Sequence, residues 1–108
     1  MKNFRLLVSA ALLAVVCWPL AVLAQARPIF VLNSLDANVS VIDPLTWKET
    51  ARISTGKEPH HLYMTPDEKS IIVANALGDS LTFIDPRTAE IQHVLRGILD
   101  PYHLRFSP

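Results

Sequence analysis

Residues 70–88 read SIIVANALGDSLTFIDPRT and residues 30–46 read FVLNSLDANVSVIDPLT, one segment lying 42 positions beyond the other. Extending the comparison outward, residues 29–66 laid over 71–108 agree at 12 of 38 positions without a gap. The identities include Ile29 with Ile71, Val31 with Val73, Asn33 with Asn75, Asp43-Pro44 with Asp85-Pro86, and His61-Leu62 with His103-Leu104. Self-similarity at this period marks a structural repeat that buries its faces against copies of itself.

Each unit divides into four short apolar runs separated by turn residues, as a propeller blade requires. His61 to Met64 is the first run. The following Pro66-Asp67 favours a type I turn, because proline fixes φ and aspartate can accept a backbone N–H. Ile71-Ile72-Val73 is apolar on both faces of the second strand, so neighbours must cover it on both sides. Ser80 to Ile84 alternates, and Asp85-Pro86 breaks it. The fourth run, Glu90 to Leu95, corresponds to Trp47 to Ile53, where Lys48, Thr50 and Arg52 share one face as on an outer edge strand. The predicted fold is therefore all-β, a β-propeller of four-stranded antiparallel blades, present as about two blades.

Outside the repeat, residues 1–26 read as a secretory signal peptide. Lys2 and Arg5 precede an apolar stretch at residues 6–16, and small residues at Ala24 and Ala26 frame a cleavage site. A spanning helix would need about 20 apolar residues, and Trp18-Pro19 interrupts this run. The expectation is export without a stable membrane anchor after cleavage, to the periplasm of a Gram-negative cell or otherwise into the medium.

The expected layout is residues 27–58 as three strands of a first blade, 59–100 as a complete second blade and 101–108 as the start of a third. Two blades cannot close a ring of roughly four to eight, so the incomplete first unit predicts a partner strand further along the chain and an exposed apolar blade face.

Beyond residue 26 there is no cysteine, which excludes a disulfide framework or a thiolate metal site. Eight basic residues face ten acidic ones there, a net charge near −2 that offers nothing to nucleic acid.

The two quoted segments resemble the YVTN repeat: a strand ending in Val-x-Asn, a polar turn, then Ile-Asp and a threonine. Residues 55–70, TGKEPHHLYMTPDEKS, are similar to its other half, Gly-x-x-Pro, a short strand and Thr-Pro-Asp. Residues 97–101, GILDP, depart from it by one extra residue between Gly and Pro. The resemblance implies an exported or periplasmic propeller, with relatives among binding proteins of unknown role, propeller lactonases and d-type haem propellers of nitrite reduction and its cofactor's biosynthesis.

His60 and His61 are the most conspicuous reactive residues, leading into an innermost strand beside the central channel. Side chains of adjacent strand residues alternate between faces, which argues against a chelating pair. His60, four residues after Gly56, resembles the position of a histidine iron ligand in haem propellers, and imidazole there could bind haem iron. His61 and His103 occupy the same blade position and read as architectural. Asp43 and Asp85, each before proline and three before threonine, read as turn caps, and Asn33 and Asn75 read in the same way. No catalytic residue and no metal cluster emerges. The expected function is a non-catalytic scaffold binding a small molecule, a cofactor of unassigned identity or a protein at the propeller top or channel. The alternatives are a lactonase-like hydrolase and a haem-binding propeller with His60 as ligand.

Overall fold

The computed structural model describes residues 26–108, so the segment read as a signal peptide lies, except for Ala26, outside the described residues. Seven strands follow in order: β1 Ile29–Asn33, β2 Asn38–Ile42, β3 Glu49–Ser54, β4 Pro59–Met64, β5 Ile71–Asn75, β6 Ser80–Ile84 and β7 Ile91–Arg96. They form two antiparallel sheets, β1-β2-β3 and β4-β5-β6-β7, each in chain order. Residues 101–108 make no ladder. Their side chains nevertheless pack on the second sheet, where Leu104 joins Ile72, Ala74 and Leu81.

The turns account for this meander. Asp43 Oδ1 accepts the backbone N–H of Leu45 at 2.8 Å, and Asp85 Oδ1 accepts those of Arg87 at 2.8 Å and Thr88 at 3.3 Å. Both copies of Asp-Pro-x-Thr are thus Asx-capped turns. Each closes with a residue of positive φ, Trp47 at 59° and Ala89 at 62°. Left-handed positions recur at the repeat distance elsewhere too, at Ala37 and Asp79 and at Glu58 and Asp100. Trp47 therefore belongs to the turn, and β3 begins two residues later than the apolar run implies. The expected Pro66-Asp67 turn forms as well, with the Glu68 N–H donating to the Thr65 carbonyl at 2.8 Å and the Lys69 N–H to Asp67 Oδ1 at 3.0 Å.

Asn33 and Asn75 do not cap turns. Asn75 Nδ2 donates across the sheet to Ser80 Oγ at 3.1 Å and Thr82 Oγ1 at 3.0 Å. Asn33 does the same to Asn38 Oδ1 at 2.7 Å and Ser40 Oγ at 2.8 Å. The Asn75–Ser80 register places these groups directly opposite, so a side chain at the strand end meets its partner strand before it can reach the turn backbone.

Two apolar clusters hold the fold. Val39, Val41 and Ile53 of the first sheet meet Ile71, Val73 and Ile84 of the second. Ile72, Ala74 and Leu81 occupy the second sheet's other face. Every residue of β5 is buried, as the double-sided apolar run requires. By contrast Val31, the counterpart of the fully buried Val73, is 42% exposed. It lies on the face of β1 opposite to Phe30 and Leu32, which pack against the second sheet. β7 is exposed along its whole length.

Candidate functional site

The site candidates lie where β4, an edge strand, runs beside residues 101–108. The β4-β5 register slips between Pro59 and His61, pairing Pro59 with Asn75 and His61 with Ala74 and leaving His60 as the extra residue of a bulge. A bulge breaks the two-residue alternation of side chains. Both histidines accordingly contact the same neighbouring segment: the His60 ring lies 3.9 Å from that of Tyr102, and the His61 ring 4.4 Å from that of His103. Tyr63 continues the row, its centroid 5.5 Å from that of Phe106.

Tyr102 and His103 are the repeat counterparts of His60 and His61. Equivalent residues of successive units thus touch, each repeat adding two rings to one wall. The repeat contained the signal for this contact, since neighbouring innermost strands align equivalent positions; Tyr102 was visible in the sequence only as a counterpart.

The two histidines differ in environment. His60 is exposed, with its ring tilted against the Tyr102 phenol. His61 is half-buried, and its Nε2 is sequestered with no hydrogen-bond partner among the described residues. Burial lowers the His61 pKa, and the positive charges of His103, His60 and Arg105 act in the same direction. Both effects favour the neutral form of the ring. Among the described residues no group of three or more His, Cys, Asp or Glu side chains is placed to hold a metal ion.

The loops flanking this wall are packed at backbone distance. A Cβ on Gly56 would lie 2.8 Å from Asn75 Cβ and Ser80 Oγ, and one on Gly78 would lie 2.7 Å from the Lys57 nitrogen. The Gly78 N–H donates to the Lys57 carbonyl at 3.1 Å and the Ala76 N–H to the Glu58 carbonyl at 2.9 Å, so the loop before β4 is fixed on the β5-β6 turn and delivers His60 in a defined place. The backbone N–H of Arg87 lowers the pKa of the Asp85 carboxyl, in keeping with its place as a turn cap.

The sequence matches the YNCE-like beta-propeller description over residues 4–108. The chain belongs to that family. This agrees with the YVTN resemblance, and the two sheets are consecutive units of a partial propeller. No curated protein matches the chain. Among solved structures, the periplasmic gluconolactonase PpgL of Pseudomonas aeruginosa is 27% identical with a TM-score of 0.59, the match covering 79% of this chain and 26% of that one. The hydrazine synthase of Kuenenia stuttgartiensis is 22% identical with a TM-score of 0.59, covering 72% of this chain and 22% of the other. The dihydro-heme d1 dehydrogenase NirN, solved in complex with DHE, is 20% identical with a TM-score of 0.57, covering 70% and 16%. The chain thus spans about a quarter or less of the length of these chains. The YNCE-like scaffold has enzymes among its structural neighbours, and the specific function of this chain is not established by them.

Proposed function

We propose that this YNCE-like propeller chain is an exported, non-catalytic binding scaffold that takes a flat small molecule or cofactor against the aromatic wall of β4. The observation that carries this reading is the pair of tilted ring contacts, His60 with Tyr102 and His61 with His103, each between counterparts 42 residues apart. Aromatic rings in such rows offer large, rigid contact area at little entropic cost.

His60 has one role specific to iron. Exposed on a bulge, its imidazole would be the residue to hold the iron of a bound haem. Titration with metal-free protoporphyrin IX and with hemin separates the components. Stacking alone takes both, whereas coordination adds a Soret shift for hemin that His60→Ala abolishes. Binding of neither porphyrin overturns the flat-ligand reading; binding of both without a His60-dependent shift overturns the haem-ligand role only.

The likeness to a gluconolactonase supports a second reading, a lactone hydrolase whose acidic residues would converge from several blades around a divalent cation. Hydrolysis of glucono-δ-lactone above the buffer rate, dependent on added Ca²⁺ or Mg²⁺, would establish it. No cation-dependent turnover leaves binding as the function.

A further inference from the structure

We infer that Tyr102 is a positioning residue, whose phenol ring fixes the His60 imidazole at the bulge of β4 in the orientation from which it takes a ligand. This role rests on the reading of His60 as the ligand-facing residue of the wall, and adds the residue that acts through it. Pro59 pairs with Asn75 and His61 with Ala74, so His60 has no opposed residue in β5 to limit its ring. The backbone beneath it is fixed by the Lys57 and Glu58 carbonyls, which accept from Gly78 and Ala76 at 3.1 and 2.9 Å. Rotation of the exposed side chain is what the backbone leaves undetermined, and ordering such a side chain on binding costs affinity. Tyr102 removes that freedom beforehand, its ring centroid 3.9 Å from that of His60 at an interplanar angle of 33°.

Tyr102 is itself placed by the packing of its segment. Pro101 is buried, and Leu104 packs with Ile72, Ala74 and Leu81, beside Phe83. Leu62, the counterpart of Leu104, packs in the same way on the cluster that holds Val39 and Val41, the counterparts of Leu81 and Phe83. Residues 101–108 therefore stand against the second sheet as β4 stands against the first, and the contact between His60 and Tyr102 is set by the geometry of the repeat. Tyr102 is 61% exposed, so its ring adds little to the core, and the contact is made by the ring and not by the hydroxyl. Phenylalanine should serve as well, and alanine should free the imidazole without disturbing the strand.

The test uses the full chain and three variants: Tyr102→Ala, Tyr102→Phe and Phe106→Ala, the last removing a ring of the same row that meets Tyr63 instead. All should melt close to the parent. In proton NMR spectra without ligand, the His60 ring signals, assigned with His60→Gln, carry an upfield ring-current shift. That shift is lost in Tyr102→Ala and kept in Tyr102→Phe and Phe106→Ala. Affinities for hemin and for metal-free protoporphyrin IX are then measured for each variant, because their ratio cancels stacking on the wall and leaves the contribution of His60. The ratio falls roughly two- to tenfold in Tyr102→Ala, as the ordering of one side chain implies, and returns to the parent value in Tyr102→Phe. Unmoved His60 signals in Tyr102→Ala, or an unchanged ratio, overturn the inference. A parent chain that takes neither porphyrin overturns the ligand reading itself, and is told apart from failure of the positioning contact by the His60 signals, which are recorded without porphyrin.

Discussion

Trp47 spends its backbone in a region that L-residues avoid, with φ at 59° and its indole 75% exposed. The left-handed conformation costs roughly 1–2 kcal/mol for a residue with a Cβ, and an indole this exposed returns little packing. Trp47→Gly is expected to stabilise the fold by about 1 kcal/mol, after allowing for the greater freedom of glycine in the unfolded chain. Thermal melting followed by circular dichroism checks the sign, and Trp47→Val, β-branched at the same φ, should melt lower than the parent. Gly56 presents the opposite case. A methyl there meets Asn75 and Ser80 at 2.8 Å, and both are fully or nearly fully buried. Gly56→Ala should cost about 1–3 kcal/mol, the usual price of overpacking, and should shift the His60 imidazole resonances because the same loop delivers that ring.

At the scale of the element, β4 carries the pH dependence. His61 is held neutral by burial, with Arg105, His60 and His103 facing it. Below its ordinary value of 6.5 the unfolded chain takes up a proton that the folded chain resists, so stability is greatest above that value and declines as the pH falls through the window beneath it. Melting temperature measured from pH 7.5 down to 5 should fall in that window, and His61→Phe, which keeps a ring against His103, should flatten the fall. How much of β4 was legible follows from the same residues. The apolar run, the Asp-Pro turns and the double-sided burial of β5 are local properties of Ile71-Ile72-Val73 and its flanking turn residues, so they could be read directly. The bulge at His60 is a property of pairing between two strands, and no residue type marks it. Alternation therefore separated His60 from His61, whereas the structure brings both onto residues 101–108. Asn33 and Asn75 were misread for a related reason: the hydroxyls of Ser40 and Thr82 that they meet are distant in sequence and adjacent only in register. The edge pattern read from Lys48, Thr50 and Arg52 holds for β3, where Ile53 alone is buried, and β7 is exposed throughout.

Across the whole molecule, the two apolar clusters have no residue in common, yet both are built on β5: Ile71 and Val73 supply one and Ile72 and Ala74 the other. That strand is also bonded along both edges, to β4 and β6. Local opening elsewhere can spare it, but no opening of β5 leaves either cluster intact. Its backbone amides should therefore exchange with deuterium only through global unfolding, the slowest class in the chain, while those of β7 exchange through local fraying. Val73→Ala, expected to cost about 2 kcal/mol by analogy with other buried truncations, should accelerate exchange at Ile72 and Leu81 as much as at Ile84, although Ile72 and Leu81 lie on the face that Val73 does not touch. A single five-residue strand thus makes the two halves of the described chain one cooperative folding unit.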